Sequence, residues 1–168
     1  MRLAEAFGHM PDVQFLMVGS MDGSKHLKEQ IETAQRKSHL GYLGQLSLER
    51  VNALLAQSHI FVNTSIYEGF PNTFIQAWMR KVPVLSLTVN PDGVLTNEGV
   101  GLVSGTYERL TRNLDRLIRD TTLRVEMADR AQAYAFRHHS TKNFAQVIRL
   151  LDPNELTATE SDPEPRVK

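Results

Sequence analysis

The sequence predicts an α/β fold in which a Rossmann-like parallel sheet carries helices on both faces. Short apolar stretches of strand length alternate with helix-like patterns as far as residue 105, which is typical of a parallel sheet with right-handed crossovers. The stretch 13–18 (VQFLMV) is almost unbroken in its apolar character, as expected for a strand that is covered on both sides. From Thr106 onward the pattern is purely helical, so we expect a helical C-terminal segment.

The first half of the chain reads helix, strand, helix, strand, helix. Helical spacing covers residues 2–10, and the strand at 13–18 follows a proline that breaks this spacing. Ser24 is placed to cap a helix that continues to about Lys37. A short strand bounded by glycine, 40–44, precedes Ser47, which is the predicted N-cap of the next helix.

The second half continues this alternation around a strong turn signal. Asn90-Pro91-Asp92-Gly93 combines residues that each favour a turn. Strands are predicted at 59–64 (HIFVNT), 82–88 and 99–105. Three helices are then predicted from apolar stripes at Leu110, Leu114, Leu117 and Ile118, at Leu123, Met127, Ala131, Tyr134 and Ala135, and, from about Thr141, at Phe144, Val147, Ile148 and Leu151.

Length and composition indicate one globular domain. We assign residues 1–151 to this domain and expect 152–168, rich in Pro, Thr, Glu and Asp, to be a disordered tail. Lys plus Arg and Asp plus Glu both number 19, so no basic field points to nucleic acid. The absence of cysteine excludes disulfides, thiolate zinc sites and cysteine nucleophiles, and it fits a cytoplasmic location. No apolar run has the length of a membrane span.

The stretch 67–78 (YEGFPNTFIQAW) carries the strongest functional signal. A Gly-Phe-Pro turn separates the strand at 59–64 from a helical pattern, so it presents a helix N-terminus at the carboxyl end of a strand. The unpaired N–H groups of a first helical turn, together with the helix dipole, favour an anion at such a place. Pro71 suits the start of this helix because a first-turn residue has no intrahelical N–H bond to lose. The local pattern therefore predicts a phosphate site.

The same stretch, continued to residue 84, resembles the donor-binding domain of family 4 nucleotide-sugar glycosyltransferases, which have the two-domain GT-B fold. The family pattern is similar to S-x-x-E-G-F-P-N-x-x-x-E-A-x-x-x-G-x-P-V. The positions that match are Ser65, Glu68, Gly69, Phe70, Pro71, Asn72, Ala77, Pro83 and Val84. The resemblance covers about residues 2–151, and this motif is its specific part.

The resemblance implies a role for each part of the motif. Glu68 would be the catalytic carboxylate that forms hydrogen bonds to hydroxyls of the donor sugar. The donor diphosphate would be held by five consecutive residues, Gly69, Phe70, Pro71, Asn72 and Thr73. Gln76 stands where the family has its second Glu, which is expected to bind the nucleotide ribose. An amide still bonds to a diol but loses about 1 kcal/mol of charge-assisted strength.

Structural alternatives stay open at these positions. Glu68 is also explained as a carboxylate that a helix N-terminus stabilises, and the segment after it as a plain turn. For Gln76, a ribose contact and a buried amide bonded to backbone carry equal weight. Tyr42 lies where the family holds the base, although a core aromatic explains it better, and Trp78 is also better explained as core. The segment 90–93 is better explained as a turn than as a loop that lies against the donor sugar.

No metal or cofactor is expected beyond the donor substrate. His138 and His139 are adjacent, so a helix would turn them about 100° apart instead of converging them on one ion. The resemblance also implies a family that needs no metal for transfer.

Two departures from the family concern the architecture. Arg80-Lys81 stands where the family has a small residue and glycine, which predicts a poorly formed helix end. The family's first strand, which carries cationic residues for the diphosphate, would lie before Met1, as would its acceptor-binding domain. With the strand order 3-2-1-4-5-6, the strands at 13–18 and 59–64 would then have open edges. We expect direct pairing, a partner chain or self-association at those edges, or marginal stability.

The resemblance implies retaining transfer of a sugar from a nucleoside diphosphate donor to a glycan or lipid-linked acceptor. The acceptor, and any peripheral contact with a membrane, would be bound through the N-terminal domain. Two other classes stay open, because a shared fold does not separate them. One is a non-catalytic binding or interaction module, which Gln76 favours. The other is a different GT-B enzyme such as a nucleotide-sugar epimerase, against which the Glu68 pattern argues.

Overall fold

The computed structural model describes residues 1–21 and 23–140, and this part contains five parallel strands in two groups. The bounds are β1 Phe15–Met17, β2 Leu40–Tyr42, β3 Phe61–Asn63, β4 Val84–Ser86 and β5 Gly101–Val103. One group pairs β1 with β2, and the other has the order β3-β4-β5. The predicted parallel α/β architecture is therefore confirmed, although each strand is shorter than its apolar run.

Seven α-helices connect and cover these strands in the described residues. Their bounds are α1 Arg2–Ala6, α2 Lys25–Lys37, α3 Leu48–Ala56, α4 Asn72–Trp78, α5 Val94–Asn97, α6 Tyr107–Arg119 and α7 Thr121–His138. The predicted caps form at α2 and α3, since the hydroxyls of Ser24 and Ser47 accept hydrogen bonds from the backbone N–H groups of Leu27 and Arg50.

Two parts of the predicted element order differ from the structure, and a third cannot be compared with it. The helix expected over 2–10 ends at Ala6. The N–H groups of Phe7 and Gly8 donate to the carbonyls three residues earlier, which is the 3₁₀ pattern. The turn at 90–93 is present as a 3₁₀ turn at Pro91–Gly93, but α5 directly after it was not expected from the sequence. The helix expected from about Thr141 and the tail at 152–168 lie outside the described residues.

The core lies in two layers, one on each face of the strands. On one face, α4 packs between α3 and α7, and a cluster around Phe74, Trp78 and Tyr134 fills the interface. Trp78 is fully buried and donates its indole N–H to the carbonyl of Val100 at 3.2 Å, so it is a core residue as expected. On the other face, α1 and α6 form one cluster with side chains of β1, β3, β4 and β5.

The strands β1 and β3 each have one open edge in the part of the chain that the structure describes. The N–H of Phe15 donates to the carbonyl of His39, directly before β2. The N–H of Phe61 donates to the carbonyl of Pro83, directly before β4. Because N–H groups alternate along a strand, those of Leu16 and Val62 point to the opposite, unpaired sides. Direct pairing of these two edges, one of the predicted outcomes, does not occur. The edges instead share one layer of helices, since Phe15 and Val62 pack on the same cluster.

Candidate functional site

The candidate site is the loop 64–71, which joins the carboxyl end of β3 to α4. A hydroxyl from the neighbouring loop holds its backbone, because Thr88 Oγ1 lies 2.9 Å from the carbonyl oxygens of both Ser65 and Ile66. Thr88 follows β4, so the ends of two adjacent strands define where this loop lies. The loop presents Ile66, Tyr67 and Glu68 to solvent.

The carboxylate of Glu68 is exposed but held in a defined direction. Asn63 Nδ2 donates to Oε2 at 3.1 Å, and Ser65 Oγ donates to Oε1 at 2.8 Å. Asn63 Oδ1 in turn accepts the backbone N–H of Ser65 at 3.0 Å. Both donors are neutral, and none of the ion pairs among the described residues includes Glu68. The carboxylate therefore keeps acceptor positions for a ligand hydroxyl.

The turn after Glu68 presents backbone N–H groups at the start of α4. Four N–H groups at this turn donate to no backbone carbonyl in a turn, loop or cap of the described residues. They belong to Gly69, Phe70, Asn72 and Thr73. Pro71 occupies the N-cap position itself, one residue before the position that the sequence indicated, and it has no N–H to offer. Since α4 has only seven residues, an anion at this turn would interact mainly with the local N–H groups and less with the dipole of the whole helix.

The ring of Phe70 anchors this turn to the end of α7. Its centroid lies 6.1 Å from that of Trp78 in an edge-to-face arrangement and 5.2 Å from the ring of His139. The Nε2 atom of His139 is buried and has no hydrogen-bond partner among the described residues. Burial lowers the pKa of His139, and the neighbouring His138 lowers it further. This contact spans 69 positions of sequence, from 70 to 139, and no local pattern predicts it.

Gln76 lies in the second turn of α4 and is half-buried. Its side-chain amide forms no hydrogen bond with another described residue, whereas its backbone carbonyl accepts Arg80 Nη1 at 2.9 Å. Among the described residues, the side-chain amide of Gln76 therefore does not form the backbone hydrogen bond that the second interpretation expects. The amide stays available to a ligand.

The end of α4 is better formed than the sequence indicated. Val82 N–H donates to the carbonyl of Ala77 and Lys81 N–H to that of Trp78, both at 3.0 Å, which are the two bonds of a Schellman motif. Lys81 has φ of 57°, in the left-handed region where glycine is favoured. The predicted cost of lacking glycine therefore appears as backbone strain at Lys81, without loss of the hydrogen bonds.

Two further positions that the sequence singled out form hydrogen bonds within the fold. Tyr42 is half-buried and donates its hydroxyl to the carbonyl of Gly19 at 2.7 Å, which ties the end of β2 to the loop after β1. Asn90 Oδ1 accepts the N–H of Leu95 at 2.9 Å, and its Nδ2 lies 3.2 Å from Thr96 Oγ1. The segment 90–93 is thus a turn that starts α5.

A cavity of about 650 Å³ lies beside the loop, between α1, α2 and α6, and it reaches Thr64. Within residues 1–21 and 23–140, no group of three His, Asp or Glu side chains could hold a metal ion. In the same residues, no helix is long and apolar enough to cross a membrane.

Sequence reasoning found Glu68 and the turn but missed the residues that hold them. Asn63, Thr88 and His139 carry no motif signal, because a polar residue after a strand or helix is common. Ser65 was visible only as a matching position of the motif. Polar residues at or just beyond the ends of two paired strands, such as Asn63 and Thr88, are the signal that could have identified this cluster.

The fold and this loop define a class of protein: a doubly wound α/β domain with an oriented carboxylate and free backbone N–H groups where its strands end. Residues 2–134 match the family of glycosyl transferases group 1, so the chain belongs to that family. The predicted family and the predicted fold class are confirmed.

Similar proteins are about twice as long as this chain. The Xenopus tropicalis glycosyltransferase 1 domain-containing protein 1 is 23% identical over 143 residues, which are 82% of this chain and 41% of that protein. The structure of Anabaena HepE in complex with UDP-glucose superposes with a TM-score of 0.74 and 22% identity, covering 94% of this chain and 45% of HepE. Sucrose-phosphate synthase from Thermosynechococcus elongatus gives a TM-score of 0.75 at 17% identity, covering 94% and 42%. The chain therefore spans less than half the length of these relatives.

Proposed function

We propose that this chain is the nucleotide-sugar-binding part of a retaining glycosyltransferase. The observation that carries the proposal is the exposed Glu68 carboxylate, fixed by two neutral donors beside a turn with free N–H groups. A carboxylate accepts sugar hydroxyls, and backbone N–H groups bind phosphate oxygens, so the two halves of a nucleotide sugar find partners side by side. The relative HepE has a structure in complex with UDP-glucose, which supports this class of ligand.

Each part of the motif has a role in this proposal. Glu68 orients the donor sugar, and Gln76 binds the ribose through its unpaired amide. The diphosphate lies against the segment Gly69, Phe70, Pro71, Asn72 and Thr73. Glycosyl transfer passes through an oxocarbenium-like transition state while charge develops on the departing diphosphate. The N–H groups of the turn stabilise that charge, and fixed donor geometry lowers the entropic part of the barrier.

The acceptor side of the reaction lies outside these residues in the proposal. A glycan or lipid-linked acceptor would be bound by a second domain, as would any membrane surface on which the reaction takes place. We place the protein in the cytoplasm, because a cysteine-free chain and a nucleotide-sugar substrate both fit that location.

A second candidate is a non-catalytic module that binds a nucleotide sugar without transferring it. The observation that favours it is Gln76, since the amide gives weaker ribose contacts than a carboxylate. Turnover with an acceptor in the presence of the whole protein separates this candidate from the first.

A donor panel tests the proposal. We expect one of the UDP-, GDP- or ADP-sugars to raise the melting temperature of the chain, because a ligand that binds the folded state stabilises it. Glu68→Ala should weaken binding of that donor by about 10- to 100-fold through loss of hydrogen bonds to a charged group. Glu126→Ala is the matched control, since Glu126 is an exposed carboxylate on α7 with a 3.9 Å contact to Arg130. If no donor shifts the melting temperature, the chain does not bind donors by itself.

A further inference from the structure

Asn63 is a buried polar residue at the last position of β3, with 7% of its surface exposed. A buried amide is costly unless its donor and acceptor sides are both satisfied. Here the acceptor Oδ1 receives the N–H of Ser65 at 3.0 Å, and the donor Nδ2 gives a hydrogen bond to Glu68 Oε2 at 3.1 Å.

These two bonds fix which way the Asn63 amide points. The backbone N–H of Ser65 only donates, so the oxygen of the amide must face it. The NH₂ group then faces the carboxylate of Glu68, which only accepts. A single buried side chain thus couples the start of the loop to the carboxylate five residues after it.

Glu68 is held on both of its oxygens. Ser65 Oγ donates to Oε1 at 2.8 Å while Asn63 donates to Oε2, so rotation of the carboxylate breaks at least one of these bonds. Thr88 fixes the carbonyl groups of the same loop from the neighbouring strand end. Of these contacts, the one from Asn63 comes from inside the sheet layer, where the backbone is least free to move.

We propose that Asn63 is a positioning residue, which orients the Glu68 carboxylate toward the donor sugar without touching the nucleotide. The inference rests on the proposed function, because it requires that Glu68 bind the sugar. It predicts that Asn63 contributes to the part of the affinity that depends on the sugar and leaves the affinity for the bare nucleotide unchanged.

Asn63→Asp separates this role from a purely structural one. The aspartate retains an oxygen for the N–H of Ser65, so the turn after β3 is kept. It replaces the NH₂ group with a second oxygen, which repels the Glu68 carboxylate instead of donating to it. A residue that served only the turn would tolerate this change.

The test measures the dissociation constants of UDP-glucose and of UDP by calorimetry with the full chain. The wild type, Asn63→Asp, Glu68→Ala and the double variant form a double-mutant cycle. We expect the preference for UDP-glucose over UDP to fall about tenfold in each single variant and no further in the double variant. The constant for UDP should stay within about twofold of the wild type. Additive losses, an unchanged preference in Asn63→Asp, or an equal loss for UDP would overturn the inference.

A second measurement judges the inference without any ligand. If the wild type binds UDP-glucose no better than UDP, the sugar contact in the proposed function fails for this donor. The side-chain NH₂ resonances of Asn63 in the ¹⁵N spectrum then decide on the positioning contact. Glu68→Ala should move them, because it removes their acceptor. Resonances that stay in place would show that Asn63 does not hold Glu68.

Discussion

The central strand β4 and the edge strand β1 are equally long but differ in what surrounds them. β4 has a neighbour on each side and is buried throughout, and Leu85 at its centre has 0% exposure. β1 pairs only with β2 in the described residues, and Leu16 at its centre is 41% exposed. The candidate site lies on the β3-β4-β5 group, which is the better packed of the two. The two donors to Glu68, Asn63 and Ser65, therefore lie in or just after a strand of the better-packed group, although β3 itself keeps one open edge.

The largest expected effect comes from matched truncations at the centres of these strands. Leu85→Ala removes a fully buried side chain and should lower the free energy of unfolding by about 2–5 kcal/mol. Leu16→Ala removes a partly solvated one and should cost about 1 kcal/mol or less. Urea denaturation measures both. Equal costs would mean that β1 is covered in solution and that the contrast between the two strands is wrong.

Amide exchange at the open edges sharpens the same comparison. The N–H groups of Leu16 and Val62 point to the unpaired sides, so they should exchange about a hundredfold faster than the N–H of Leu85. If the chain self-associates through these edges, their exchange should slow as protein concentration rises. A monomer that unfolds cooperatively with a high midpoint would contradict the expected marginal stability or self-association.

Acidification should destabilise the packing at the end of α7, where the ring of His139 lies against Phe70. Burial depresses the pKa of His139 from 6.5, so the folded state resists protonation that the unfolded chain accepts. The associated stability is present above pH 6.5 and is lost as the pH falls from there through the folded-state pKa. His139→Phe keeps a ring against Phe70 without a titrating group and should flatten the melting temperature between about pH 7.5 and 5.5. An unchanged pH profile in this variant would exclude His139 as the cause.

The smallest expected effect is at the end of α4. Lys81→Gly relieves the left-handed strain but removes an exposed ion pair, 2.7 Å long, with Asp129. Lys81→Ala removes the same pair and keeps the strain. The free energy of unfolding of the glycine variant should therefore be about 1 kcal/mol higher than that of the alanine variant. Equal stability of the two variants would mean that Lys81 is not strained in solution.

The sequence predicts the order of elements well because strand and helix leave different periodicities. The apolar runs at 13–18 and 82–88 place β1 and β4 correctly, but both extend beyond the three paired residues of each strand. Beside β4 this is because burial continues to Val82 and Pro83, whereas no residue of 13–18 is buried, so the expected cover on both sides of β1 is wrong. The short α5 lacks a full apolar period and so escapes detection. Open edges at β1 and β3 follow from a family strand order, not from the residues themselves.

The candidate site is only half visible in the sequence. Glu68 and the turn after it belong to a recognisable motif, whereas the contacts that orient them depend on chain folding. Thr88 reaches Ser65 over 23 positions, and His139 reaches Phe70 over a longer separation. Such contacts arise from strand order and helix packing, so a local pattern cannot encode them.

Hydrogen exchange with and without UDP-glucose tests the central claim, that the chain binds a nucleotide sugar at the loop after β3. At saturating ligand, peptides that cover residues 63–76 should gain protection, because this segment contains Glu68, the free N–H groups and Gln76. The same experiment with Glu68→Ala should show a smaller gain at matched ligand concentration. Protection confined to other segments, with 63–76 unchanged at saturation, would contradict the account.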